Sequence, residues 1–290
     1  MDRQQELAAV RRAYARRLMA SAGIANPGIE AAFAAVERER YLGPGPWPIL
    51  CPAGYFSTPD GDPVRVYADV LIGIVPERGL NNGMPSYHVP LLASAGIRAG
   101  DHVVHIGAGV GYYTAIMAHL AGPAGRVTAI EFDAGLASRA AANFSHAGNV
   151  QVLEGDGFSM SFDPADVIYV NAGVTHPADI WLDRLTDGGR LILPLTTENI
   201  WSPGAAAWLS NYGAVFRIER QGDHYLAAWI STVALYPCEG EGGRDDASEA
   251  ALGAAFQKGG WRRVTRLYRT GDLPDERCWL RAARWALAYD

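Results

Sequence analysis

A chain of 290 residues, 49% of them hydrophobic, has ample material for a buried core, either as one large domain or as one domain with long extensions. Its formal charge of -6, with only 25 lysines and arginines, provides no overall electrostatic footprint for nucleic acid, and no apolar run reaches the ~18 residues that suggest a membrane span. Cys51, Cys238 and Cys278 are odd in number and form no C-x-x-C pair, which indicates neither a disulfide framework nor a metal site. The start of the chain is too charged for a signal peptide, so the expected compartment is a reducing cytoplasm.

Residues Asp2 to Ala22 place Leu7, Val10, Tyr14 and Leu18 at helical spacing between arginines, which predicts an amphipathic helix. Asn26 and Pro27 are a cap and a first-turn residue for a second helix carrying Ile29, Phe33 and Val36. From Gly43 to Pro63 glycine and proline are dense, and the reading is an extended arm without regular elements. From Asp101 strands and helices alternate: "HVVHIG", then "YYTAIMAHLAG", "GRVTAIEFD", "LASRAAANFSHAG", "VQVLEGD", "ADVIYVNAG", "PADIWLDRLTDGG" as a helix, and "RLILPLT". That order predicts an α/β fold with a doubly wound, mostly parallel sheet. "VFRIERQGDHYLAAWISTVALYP" adds an antiparallel edge hairpin turning at Gln221-Gly222-Asp223. The expected division is 1–75 for N-terminal helices and arm, 76–238 for the core, and 239–290 for a C-terminal extension whose structure the sequence leaves open.

In such a sheet ligands sit beyond the carboxyl ends of the strands. Gly107, Gly109 and Gly111 follow the first core strand, with Ala108 between the first two and Tyr112 opening the helix. Glu131 and Phe132 close the second strand, and Asp156-Gly157 close the third. An acid after the second strand can accept both hydroxyls of a ribose, and one after the third can accept from an adenine amine. Together these features indicate an adenosine cofactor. The dinucleotide fingerprint wants its third glycine where this chain has Tyr112, so the G-x-G-x-G pattern favours S-adenosyl-L-methionine over NAD.

Several stretches resemble the protein-L-isoaspartate O-methyltransferase family: "AFAAVERERYL", "VYADVLIG" with Tyr67 and Asp69, "VVHIGAGVGYYTAIMAHL", "GRVTAIEFD", "EGDG", and "DVIYVNAGVTHPADIWLDRLTDGGRLILPL". The resemblance spans roughly residues 30 to 237. It implies a Rossmann-like methyltransferase fold and methyl transfer to the abnormal carboxylate of isoaspartyl residues. The family carries Gly-Gln-Thr-Ile-Ser-x-Pro-His-Met ahead of the cofactor loop, where this chain has "GLNNGMPSYHV". Gly83 stands in the serine's place, after Asn81 and Asn82, which implies cofactor binding but not a standard isoaspartyl repair activity.

Asn81, Asn82, Gly83 and His88 are the candidate catalytic residues. Amides and backbone donors suit orientation of a carboxylate acceptor, which needs no base at neutral pH. His88 could act as a base, or could hydrogen-bond the cofactor, and Asn81 and Asn82 could instead be turn residues. His105 reads as a core or cofactor-side residue, and His176-Pro177 and Trp181 as pocket lining or helix core. A peptide or protein carboxylate is the first acceptor class. A small molecule of specialised metabolism is the alternative, and a cofactor-binding protein without catalysis is a third reading. The absence of an Asn/Asp-Pro-Pro-aromatic run after the fourth strand, where the chain reads "NAGV", argues against a nucleic-acid acceptor. Oligomeric state is not legible.

Overall fold

The structure is a computed structural model that describes residues 2–198 and 211–290. The chain divides into two compact units, Met1–Asp101 with Ala108–Glu154, and His102–Gly107 with Gly155–Asp290.

The first unit begins with α1 (Arg3–Ala22), where Asp2 and Gln5 form a capping box and Gly23 ends the helix in the left-handed region. Asn26 accepts the Ile29 N–H at 3.1 Å to cap α2 (Pro27–Ala35), as its side chain and the following proline lead one to expect. Tyr14, Leu18, Ile29 and Phe33 are buried from these two helices. After α3 (Glu39–Leu42) the glycine- and proline-rich stretch departs from the predicted arm. It holds β1 (Pro48–Cys51) and β2 (Gly54–Ser57), and with β3 (Ile72–Val75) and β4 (Leu80–Asn82) they form an antiparallel sheet ordered β2-β1-β3-β4. Pro48 is tolerated because it takes the first position of its strand, where a ladder donor is dispensable. Pairing with β3, more than twenty residues away, supplies a partner that local composition does not show.

Next comes α4 (Pro85–Ala95), whose Met84 N-cap offers no side-chain bond. Asp69 replaces it from a distance by accepting the Ser86 N–H at 2.8 Å. The strand β5 (His102–Ile106) belongs to the second unit, and the first resumes with α5 (Tyr112–Ala121), β6 (Arg126–Glu131), α6 (Ala134–Asn143) and β7 (Val150–Glu154). β6 and β7 pair in parallel from Val127–Val150 to Glu131–Glu154, so Glu131 ends its strand as predicted.

In the second unit β5 pairs in parallel with β8 (Ala165–Val170). The predicted helix over "PADIWLDRLTDGG" shortens to α7 (Asp179–Arg184), and the chain enters β9 (Leu185–Glu198) at Leu185. Leu185 pairs with Ala165 before the register shifts, and Thr186 donates to Asp166 at 3.0 Å, so pairing with β8 overrides helical propensity. The predicted hairpin forms from β10 (Asn211–Gln221) and β11 (His224–Ala234). The C-terminal extension is ordered: α8 (Asp246–Lys258) is followed by β12 (Arg266–Tyr268), β13 (Cys278–Arg281) and β14 (Ala286–Ala288). These three strands lengthen the antiparallel edge well beyond a hairpin, in the order β13-β14-β12-β11-β10-β9-β8-β5. Among the described residues no helix is long and apolar enough to cross a membrane.

Candidate functional site

In the first unit the turn from Ala108 to Tyr112 is held by backbone. Gly109 and Gly111 have φ of 57° and 95°, a region that side chains with a Cβ rarely enter. The Ala108 N–H donates to the Ile130 carbonyl at 3.2 Å, and Asn143 reaches the Val110 carbonyl at 2.9 Å. Glu131 is the side chain locked to this turn. Its Oε2 accepts the Gly109 N–H at 2.6 Å and its Oε1 the Asp133 N–H at 3.0 Å. Burial pushes the Glu131 carboxyl up from its ordinary value, against backbone N–H groups that pull it down. Each oxygen retains acceptor capacity for a further donor. Phe132 next to it is half-exposed, whereas the Tyr112 ring is buried beside Phe33, Tyr41 and Tyr113, so Tyr112 has only backbone to offer a ligand.

The segment from Gly79 to His88 is held by side chains. Arg38 is fully buried and donates from Nε to Asn82 Oδ1 at 3.1 Å, from NH1 to the Val66 and Ala68 carbonyls at 3.0 Å, and from NH2 to the Val70 carbonyl at 3.1 Å. Its guanidinium also lies over the Tyr112 ring, 5.5 Å from the centroid. Asn82 is 4% exposed, with its amide oxygen committed to Arg38. The structure thus places Asn82, a candidate acceptor-side residue, in the core beside Arg38. Asn81 accepts from the Tyr55 hydroxyl at 2.7 Å and donates to the Gly79 carbonyl at 2.8 Å.

Gly83 is crowded by its neighbours. A Cβ placed there would lie 2.5 Å from His88 Nε2 and 3.5 Å from the Tyr113 ring. The His88 imidazole stacks on Tyr113 with centroids 3.5 Å apart, and the Tyr113 hydroxyl donates to the Gly83 carbonyl at 2.6 Å. His88 thus fills the volume into which a side chain at position 83 would project. Sequence reasoning missed Arg38 and Tyr113 here. One hint was "VYADVLIG", since Tyr67 and Asp69 each tie this region together: Tyr67 donates to Glu39, and Asp69 caps α4.

The second unit carries the remaining candidates. Gly107, at φ 75°, is approached by Asn171, whose amide donates to its carbonyl at 3.4 Å. Asp156 accepts the Phe158 N–H at 2.9 Å, and the backbone at Gly240 packs against its carboxylate with no room for a Cβ. Trp181 is buried and donates to the Gly157 carbonyl at 2.8 Å, which makes it helix core. His105 is buried, and desolvation holds its imidazole neutral with a pKa of about 3, so it cannot be a cation at physiological pH. His176 sits 3.3 Å from Asp245, and burial lowers its pKa. Cys51, Cys238 and Cys278 are free thiols, and no cluster among the described residues has the donors to hold a metal.

Comparisons with known proteins bear on the fold and the family. A solved protein-L-isoaspartate O-methyltransferase superposes with a TM-score of 0.65 at 20% identity over 96% of this chain and 87% of its own, which shows the fold to be the Rossmann-like methyltransferase fold. A family model for protein-L-isoaspartate(D-aspartate) O-methyltransferase matches residues 65–202. A protein-L-isoaspartate O-methyltransferase 1 of Rhodopseudomonas palustris is 31% identical over 202 residues, 68% of this chain and 74% of that protein, and the Ignicoccus hospitalis enzyme is 34% identical over 51% of this chain and 66% of its own length. The chain belongs to the protein-L-isoaspartate O-methyltransferase family. It spans 44 to 62% of the length of several further curated relatives of that name.

Proposed function

We propose that this chain is an S-adenosyl-L-methionine-dependent O-methyltransferase that esterifies a carboxylate on a protein or peptide. The observation that carries the reading is Glu131, fixed at the end of β6 by the Gly109 N–H at 2.6 Å, beside a glycine turn and the half-exposed Phe132. These residues fit the cofactor: Glu131 would take the ribose hydroxyls, Phe132 would flank the base, and the backbone N–H groups at the start of α5 would receive the carboxylate of the amino-acid end. When bound, the cofactor supplies an activated methyl group. The protein's work is then to hold the acceptor in line and exclude water.

A carboxylate acceptor is ionised at neutral pH, so this chain needs no general base. His88, stacked on Tyr113 and buried, is placed to shape the segment around Gly83 rather than to relay protons to solvent. Arg38 and Asn82 are positioning residues for the same segment, and Asn81 secures its start. With Gly83 and the His88 ring where the family pattern has a serine, the acceptor differs from that of standard isoaspartyl repair. The formal charge of -6 supports a protein or peptide acceptor over nucleic acid, and the free cysteines suit a reducing cytoplasm.

Calorimetry tests the cofactor assignment. Binding of S-adenosyl-L-methionine and its demethylated product, without binding of NAD, is the expected result. Binding of NAD alone would overturn it.

A further inference from the structure

Tyr113 is the second residue of α5, and its side chain has no part in the cofactor contacts inferred above. Its ring is 3% exposed and packs against two others: the His88 imidazole stacks on it with centroids 3.5 Å and planes 19° apart, and the Tyr112 ring meets it edge-on at 5.0 Å. Its hydroxyl donates to the Gly83 carbonyl at 2.6 Å, whereas Arg38 NH2 reaches that oxygen only at 3.5 Å. Desolvation holds the phenol's pKa well above its ordinary value, so it remains a protonated donor across the physiological range.

These contacts join the two stretches of the first unit that carry its candidate residues. α5 starts at the glycine turn, where the first backbone N–H groups of the helix lack partners within it. Gly83 and Met84 lead into α4, with Gly83 half-buried and Met84 exposed. A glycine has no side chain by which to be anchored, and the position of a Cβ at Gly83 is closed by His88 Nε2 at 2.5 Å. Its carbonyl is therefore the handle by which Tyr113 holds it. A tyrosine has only two side-chain torsions, so a stacked, buried ring passes the position of its own backbone to the group that its hydroxyl holds.

We propose that Tyr113 is a positioning residue that couples cofactor binding at the start of α5 to the placement of Gly83 and Met84. This rests on the methyltransferase reading above and adds to it a link between the donor's site and the segment assigned to the acceptor. A ligand on the first N–H groups of α5 restrains the backbone of Tyr113, the ring carries that restraint past His88, and the hydroxyl delivers it to Gly83. The segment is then set for the acceptor when the methyl donor is in place. By linkage, the ordered segment favours the cofactor by the same factor.

The test is hydrogen–deuterium exchange of the full chain with and without S-adenosyl-L-homocysteine, read over residues 79–88, with the affinity of that compound measured by calorimetry. In the wild type the bound compound should slow exchange there about threefold to tenfold, the worth of one hydrogen bond. Tyr113→Phe keeps the ring and deletes the hydroxyl. It should abolish the slowing while affinity stays within about tenfold of wild type, the most that the lost coupling can cost. His88→Gln removes the stacked ring and should reduce the slowing. A merely structural Tyr113 predicts a melting temperature lower by about 2 to 4 °C in Tyr113→Phe with the slowing intact, and that result overturns the inference. So does a wild type that binds the compound without any slowing, and both outcomes leave the methyltransferase reading standing. A wild type that does not bind the compound at all overturns that reading, and the coupling with it.

Discussion

The turn from Ala108 to Tyr112 and the segment from Gly79 to His88 lie in the same unit and are built in opposite ways. Positive φ at Gly109 and Gly111 and backbone groups shape the turn, with Asn143 on the Val110 carbonyl and Glu131, which closes the strand that follows α5, on the Gly109 N–H. The segment takes its shape from a guanidinium 44 residues away in sequence from Asn82, buried beneath carbonyls and aromatic rings. A site shaped by backbone can lose a side chain and keep its form, so damage there falls on binding. A site shaped by one buried cation loses form first, and function follows.

The largest effect should come from Arg38→Ala. It strands the Asn82 amide and three carbonyls in the core and leaves a cavity, at a cost of about 3 to 5 kcal/mol in stability, measured by chemical denaturation. Arg38→Lys should recover little, because an ammonium cannot reproduce the planar fork. Wild-type stability for Arg38→Ala would erase the contrast between the two regions.

Glu131→Ala should act on the other side of the comparison. Loss of charge-assisted hydrogen bonds lowers S-adenosyl-L-methionine affinity by about 1.5 to 3 kcal/mol, one to two decades by calorimetry, with little change in melting temperature. Asn82→Ala should cost about 1 to 3 kcal/mol of stability while turnover per folded molecule survives, because its amide serves Arg38. Reduced turnover at unchanged stability would instead put Asn82 against the reacting groups.

The smallest effect is a pH dependence of cofactor affinity. Burial raises the Glu131 carboxyl above its ordinary value, and ribose hydroxyls donate to the ionised form. Affinity should therefore rise with pH through that elevated pKa and stay level above it, with the fall on acidification beginning at a higher pH than for an ordinary glutamate. The same shift means that ionisation of Glu131 works against the folded state: its contribution to stability is full below the unfolded-state pKa and is lost as pH rises through the folded one.

Legibility in the sequence follows the same divide. The amphipathic spacing of α1, the cap of α2, the alternation from β5 to β9, the hairpin turn at Gly222 and the glycine turn were readable because each is specified by residues close together in the chain. β1 and β2 were not, because a proline-led strand declares itself only once β3 is beside it. The early start of β9 depended on pairing with Ala165, and the C-terminal strands on an exposed edge at β11. At the candidate site, Glu131 stood where spacing put it, whereas Asn82 could not be recognised as a partner of Arg38 from either local context. The filling of the space at Gly83 by His88 was equally invisible, since it depends on the stack with Tyr113.

The central claim is methyl transfer to a protein or peptide carboxylate. Its direct measurement is incubation of the chain with methyl-labelled S-adenosyl-L-methionine and a panel of aspartyl, glutamyl and isoaspartyl peptides, followed by mild base. The account predicts label in the peptide fraction, released by base as methanol, with the isoaspartyl peptide not the preferred acceptor. Base-stable label, or label found only in small-molecule extracts, would contradict it.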